Sequence, residues 1–293
     1  MAWRAAPVVS AGAVWAGLAI VATASAPVGM GAALSISEST VSVVEDGPGV
    51  ADSFRFQQGE TVFYRAKVVG YGRRKDDNDR ESMTVNWKVE VFDSAGVALA
   101  PAKADKVDVD LAPQDKEWVP KIRHDFALPP LLDPGTYKIV MTVQDEVAGT
   151  TATRETTFGV RGRTVESSDV LVAAGFRFLR TEQDGKALAP PVYRAGDPVW
   201  ARFDITGYKF GEGNQYEVSY GLEVFDATGK SIYQEPEAAR EADQSFYRKR
   251  YVPGVLNLRP SADIAKGEYT IALRVKDAIG GVEQESRHTF RIE

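Results

Sequence analysis

Gly135-Thr136-Tyr137-Lys138-Ile139-Val140-Met141-Thr142-Val143-Gln144-Asp145 decides the fold, because the chain writes it again as Gly267-Glu268-Tyr269-Thr270-Ile271-Ala272-Leu273-Arg274-Val275-Lys276-Asp277. Each copy opens on a turn glycine, carries a tyrosine two residues on, alternates apolar with polar side chains and closes on an aspartate. A period of two puts Tyr137, Ile139, Met141 and Val143 on one face, and Tyr269, Ile271, Leu273 and Val275 on its counterpart, as half-buried strands require. One strand used twice makes a duplicated β-domain the expectation.

Working outward, other segments recur in the same order. Phe54-Arg55-Phe56 is matched to Phe176-Arg177-Phe178, Gly70-Tyr71 to Gly207-Tyr208, Val91-Phe92-Asp93 to Val224-Phe225-Asp226, and Phe158 to Phe290. Two further pairs of runs alternate. Val62, Tyr64, Ala66 and Val68 answer Val199, Ala201, Phe203 and Ile205; Val85, Trp87, Val89 and Val91 answer Val218, Tyr220, Leu222 and Val224. Trp87, Tyr220, Tyr137 and Tyr269 are therefore predicted core residues. Asp93-Ser94-Ala95-Gly96 and Asp226-Ala227-Thr228-Gly229 read as turns in which aspartate caps the backbone and glycine takes a positive φ. Short strands, such turns and no amphipathic helical run predict an all-β chain of two tandem antiparallel β-sandwiches.

An aromatic on the third strand (Trp87, Tyr220) and the run Asp133-Pro134-Gly135-Thr136-Tyr137 resemble the immunoglobulin-like sandwich with its tyrosine corner. Ile139 and Ile271 stand where the antibody pattern has a cysteine, so the resemblance is to cysteine-free bacterial Ig-like and fibronectin-III-like modules of secreted or envelope proteins. Tyr193-Arg194-Ala195-Gly196-Asp197-Pro198-Val199 also resembles the opening strands of macroglobulin-type domains. Such folds carry many functions, and the resemblance brings no active site with it.

The N-terminus reads as an export signal. Arg4 precedes an apolar run from Ala5 to Ala22, and Ala24-Ser25-Ala26 fits a cleavage site, so residues 1–26 are expected to be a signal peptide. The run is also close to bilayer-spanning length, so an uncleaved anchor is the alternative, and membrane contact is expected only then. Residues 27–40 are expected to form a flexible leader, 41–160 the first Ig-like domain, 161–169 a linker and 170–293 the second. An insertion, Leu179 to Tyr193, is expected in the second copy.

The chain of 293 residues has no cysteine, which excludes disulfides, thiol catalysis and thiolate metal sites. A net charge of −6 argues against nucleic acid as a partner. There is no Gly-x-Ser-x-Gly elbow and no His-Glu-x-x-His, and His124 and His288 fall at non-equivalent places, both read as surface strand positions. Gly211-Glu212-Gly213 leads into a strand pattern rather than a helix, so it is a hairpin loop and not a dinucleotide site. No enzyme is expected.

Two clusters remain. Asp76, Asp77, Asn78, Asp79 and Glu81 are the densest hard-oxygen donors, read as a solvated hairpin tip or, alternatively, a calcium site. Trp118, Tyr233, Phe246, Tyr247 and Tyr251 lie where the copies diverge and are the candidate ligand-binding aromatics. Arg248-Lys249-Arg250 between them reads as a charged strand face. The functional expectation is an exported, periplasmic or extracellular, binding or scaffold protein that contacts an envelope or extracellular protein partner. Its alternative is carbohydrate binding through the loop aromatics, with or without calcium; no other cofactor is expected.

Overall fold

The computed structural model describes residues 33–115 and 117–293; the expected signal peptide and the start of the expected leader lie outside them. In the N-terminal half, β1 (Ser35–Ser42), β3 (Thr61–Val69) and β7 (Lys121–Ala127) form one sheet in that order. The second sheet runs β2 (Arg55–Gln57), β9 (Thr150–Arg161), β8 (Gly135–Asp145), β5 (Glu81–Phe92) and β4 (Arg74–Lys75), with β6 (Lys103–Leu111) also paired to β5. The C-terminal half repeats this plan. Its small sheet is β10 (Val172–Leu179), β12 (Val199–Thr206) and β15 (Val252–Leu258). Its large one is β11 (Val192–Tyr193), β17 (Val282–Ile292), β16 (Gly267–Asp277), β13 (Tyr216–Phe225) and β14 (Ser231–Asp243). All ladders are antiparallel except β2–β9 and β11–β17. Among the described residues the one helical element is a 3-10 turn, Glu212–Asn214, which leads into β13, and no helix is long and apolar enough to cross a membrane.

Each half closes on its own apolar cluster, and the alternating residues fill both. Val62, Tyr64, Ala66 and Val68 are buried, as are Val199, Ala201, Phe203 and Ile205. Each valine, isoleucine or phenylalanine so placed contributes about 1.5–3 kcal/mol relative to exposure, which is how the cores hold without a disulfide. The tyrosine corners form in both copies: Tyr137 Oη donates to Asp133 O at 2.7 Å, and Tyr269 Oη to Ala265 O at 2.5 Å. Gly96 and Gly229 adopt φ of 81° and 79°, the left-handed conformation that their turns need. Tyr220 is the exception among the predicted core residues. Its strand shifts register with β14 between Tyr220 and Leu222, leaving the ring half-buried with its hydroxyl donating to Val255 O at 2.9 Å.

The structure corrects two expectations, the start of the first domain and the insertion in the second. Phe54-Arg55-Phe56 and Phe176-Arg177-Phe178 are not equivalent, because Phe56 sits on β2 and pairs in parallel with β9 whereas Phe176–Phe178 lie on β10. The residue that matches Phe56 is Tyr193 on β11. The true counterpart of β10 is β1, so the fold starts at Ser35 within the expected leader. No insertion exists at 179–193 either: the connections 43–54 and 180–191 are equally long. The Ser-rich β1 escaped notice because its apolar alternation is broken by a bulge between Ser37 and Thr40, where Glu38 takes φ 48°.

Candidate functional site

The two halves meet where the turn after β5 and the tyrosine corner before β8 come together. Asp93 spends Oδ1 on its own turn, accepting from Ala95 N at 2.9 Å and Val97 N at 2.8 Å. Its Oδ2 is used by the other half. Tyr247, from the loop between β14 and β15, donates to Asp93 Oδ2 at 2.8 Å and packs its ring into the N-terminal apolar cluster. Three residues on, Arg250 places Nη1 at 2.7 Å from Asp133 Oδ2 and Nη2 at 3.4 Å from Asp93 Oδ2. Asp93 is only 4% exposed, so this donor and cation keep a buried carboxylate from standing unpaired. Burial raises the Tyr137 phenol to about 12, helped by the Asp93 and Asp133 carboxylates and opposed by Arg250. The Tyr247 phenol is raised as well, by burial first and then by its bond to Asp93.

A second clamp stands beside it. Arg163, in the connection after β9, makes a two-pronged contact with buried Asp204 on β12; one prong, Nη2 to Oδ1, is 2.7 Å. The same guanidinium lies 5.1 Å from the centroid of the buried Tyr251 ring. Bidentate arginine–carboxylate geometry adds direction to charge, so the connection is held against the C-terminal half rather than swinging free.

The equivalent end of the C-terminal half is open. Val62 pairs with Phe126 and Val199 with Leu258, so counting forward matches Leu128 to Pro260, Leu132 to Ile264 and Asp133 to Ala265. Phe126, Leu128 and Leu132 are buried; Leu258, Pro260 and Ile264 are half-exposed. After the turn the difference widens. Leu99 N donates to Val91 O at 2.9 Å and the side chain seals the core at 4% exposure. In the other half a bulge between the pairs Val224–Tyr233 and Phe225–Ser231 throws Ile232 out to 45% exposure. A cavity of about 700 Å³ opens there, reaching Tyr269 and Phe290 at its floor and Asp226, Tyr233 and Arg259 at its rim.

The five candidate aromatics do not gather on one surface. Tyr247 and Tyr251 are buried in the clasp between the halves, so neither offers a face for stacking on a ligand. Trp118 packs half-buried on the N-terminal cluster, with its carbonyl accepting from Tyr71 Oη at 2.5 Å. Phe246 is exposed on the loop that carries Tyr247, and Tyr233 is exposed at the cavity. Asp76, Asp77, Asn78, Asp79 and Glu81 do form the tip between β4 and β5, yet the carboxylates turn to their own surroundings. Asp76 accepts from Asn78 N, Arg80 N and Arg80 Nε, Asp79 faces Lys75 and Glu81 faces Arg73. Among the described residues no group of three or more acids and histidines converges on a point that would hold a metal.

Two further expectations change. Arg248-Lys249-Arg250 is a loop with each cation engaged, not a strand face: Arg248 lies over Phe210, Lys249 binds Tyr216, Glu241 and Asp243, and Arg250 crosses to the other half. Both histidines are half-buried rather than superficial, His288 stacked on Phe176 with ring centroids 3.5 Å apart, and burial lowers the pKa of each. In the sequence Asp93 reads only as a turn cap, Asp133 only as part of the tyrosine-corner run and Arg250 only as part of a charged strand face, while Arg163 and Asp204 carry no motif. The signal available was divergence between copies, since Asp133 and Leu128 face Ala265 and Pro260 at matched positions.

No family model matches this chain, and no curated protein matches it. Among solved structures it is similar to the C-terminal domain of the antigen I/II polypeptide BspA of Streptococcus agalactiae, at 11% identity and TM-score 0.27, covering 89% of this chain and 99% of that one. It is also similar to the C-terminal domain of the antigen I/II-family protein AspA of Streptococcus pyogenes, at 11% identity and TM-score 0.30, with the same coverage.

Proposed function

We propose that this chain is an exported, non-enzymatic binding or scaffold protein that works at the cell envelope and recognises a protein partner. Its two sandwiches are clasped into one body, and its working surface is the open end of the C-terminal half. The observation that carries this is the contrast at Ile232: an apolar side chain and the Tyr233 ring are exposed over a cavity of about 700 Å³ at a place where the other half is sealed. Concave apolar surface with a few polar groups at its rim is what ligand and partner sites are made of. The candidate residues supply no nucleophile, base and orienting group in reach of one another, so the reading invokes neither catalysis nor a cofactor.

The test compares the mature wild-type protein with Ile232→Arg, which puts a charge at the cavity mouth without touching either core. Surface immobilisation of each, exposed to fractionated envelope proteins and to a glycan array, is expected to show a protein ligand that the variant loses. Equal binding by both proteins would remove the cavity from the account. Loss of a glycan signal in Tyr233→Ala, with no protein ligand, would turn the assignment to carbohydrate.

A further inference from the structure

We propose that the open end of the C-terminal half takes a tyrosine side chain carried on a loop of a partner protein, the phenol donating to Asp226 Oδ2 and the ring lying on Tyr269 and Phe290. This rests on the cavity being the working surface and names the group that enters it.

The molecule already holds one such contact, at the matching place. In the N-terminal half the turn aspartate stands above a tyrosine corner, and its second oxygen is met from outside the sandwich. Tyr247 Oη donates to Asp93 Oδ2 at 2.8 Å, and the ring joins the apolar cluster that contains Tyr137 and Phe158. The C-terminal half builds the same floor. Tyr269 pairs with Phe290 as Tyr137 pairs with Phe158, with ring centroids 5.7 and 5.8 Å apart. There the floor lies open at the bottom of a cavity of about 700 Å³.

The acceptor is kept as well. Asp226 lines the cavity and commits Oδ1 to its own turn, accepting from Thr228 N at 2.9 Å, Thr228 Oγ1 at 2.6 Å and Lys230 N at 3.1 Å. Its Oδ2 has no hydrogen-bond or ion-pair partner among the described residues. A carboxylate oxygen beside an apolar hollow asks for a hydroxyl donor and a ring together, and a phenol brings both in one side chain.

What the socket has dropped narrows the occupant further. Arg250 enters the first socket because two carboxylates receive it, Asp93 and Asp133. In the second socket Asp133 is replaced by Ala265, and Arg259 stands on the rim where the first half has Ala127. An entering cation would find one carboxylate and a guanidinium of its own sign. A neutral donor meets no such opposition, so the tyrosine of the internal contact is retained and its arginine is not.

Titration of the isotope-labelled protein with N-acetyltyrosinamide and with N-acetylphenylalaninamide, followed by backbone amide NMR shifts, tests this because the two probes differ by one hydroxyl. Both are expected to shift the amides of Ile232 and Tyr269, and the tyrosine probe is expected to bind about tenfold tighter, by the usual worth of a hydrogen bond to a charged acceptor. Asp226→Asn keeps an acceptor for the turn amides but turns the second oxygen into a donor. It is expected to bring the tyrosine probe down to the affinity of the phenylalanine probe and to leave the latter unchanged. Equal affinities in wild type, with shifts at the cavity, would overturn the phenol contact and leave the binding reading of the cavity standing. Unchanged binding of both probes by Ile232→Arg, or shifts only at other surfaces, would remove the cavity and the proposal together. Preference for methyl glucoside over either probe would give the cavity to a sugar and overturn the proposal.

Discussion

Asp93 and Asp226 begin the same four-residue turn, and the first carboxylate oxygen of each does the same work. Asp226 Oδ1 accepts from Thr228 N and Lys230 N as Asp93 Oδ1 accepts from Ala95 N and Val97 N. What differs is the company of the second oxygen. Around Asp93 the chain adds Leu99, Leu128 and Leu132 as a lid, and then a tyrosine and an arginine from the neighbouring half. Around Asp226 the return strand bulges, the leucines become proline and isoleucine, and a cavity is left. Local turn chemistry is thus indifferent to whether an end of a sandwich is an interior or a surface. Side chains far along the chain make that choice.

The comparison is broken most severely at Tyr247. Tyr247→Ala removes a ring from the N-terminal cluster and leaves Asp93 buried without its phenol donor, so a loss of about 4 kcal/mol is expected, by the usual cost of aromatic truncation in a core. Urea denaturation checks it, and separation of one transition into two would show the halves uncoupled. Tyr233→Ala in the open end is expected to leave the urea midpoint unchanged.

Leu99→Ala comes next, with an expected loss of about 3 kcal/mol from an emptied core position. Ile232→Ala, the matched change, is expected to cost little, and a similar loss in both would mean that the two ends are packed alike. Asp93→Asn keeps an acceptor for the turn amides but removes the charge facing Arg250; about 2 kcal/mol is expected for breaking a buried charge contact. Asp226→Asn is expected to be silent in the same urea denaturation.

Alkali loads both halves without mutation, since burial raises the Tyr193 and Tyr216 phenols of the C-terminal half to about 12 as it does Tyr137. The Tyr137 phenol is raised from 10.0 to about 12, so the folded state favours the neutral form. Its contribution is fully present below pH 10 and is lost as pH rises through about 12, because the unfolded chain ionises first. Both halves should therefore lose stability over that window in a pH series of urea melts, and Tyr137→Phe should reduce the loss. A flat profile would place the ring in a wetter setting than the clasp provides. The smallest effect is at the bulges: Glu38 at φ 48° occupies the place of Gly175 at φ 59°. Glu38→Gly is expected to stabilise by about 0.5 kcal/mol, relief of left-handed strain outweighing an exposed ion pair to Lys67.

Much of the architecture was legible because strands with one buried face advertise themselves. Ile139, Met141 and Val143 can only alternate for one reason, and all three are buried. Legibility failed where the period is interrupted, at bulged β1, and where a short motif imitated a repeat, at Phe54-Arg55-Phe56. The site was read least well. Aromatics in variable loops were the right class of residue to inspect, but a tyrosine that stacks on a ligand and one that plugs a neighbouring core have the same sequence around them.

Sequence alone determined the two-fold repetition, the all-strand build and the tyrosine corners, because these depend on periodicity, turn chemistry and contacts four residues apart. Only the tertiary structure decided that Tyr247 and Arg250 belong to the first half's interior, that Arg163 ties the connection to Asp204, and that one sandwich end is closed while the other is open. Those outcomes hang on pairs of residues 41 to 157 positions apart. Whether such residues meet is set by how complete sheets pack, which no local pattern encodes.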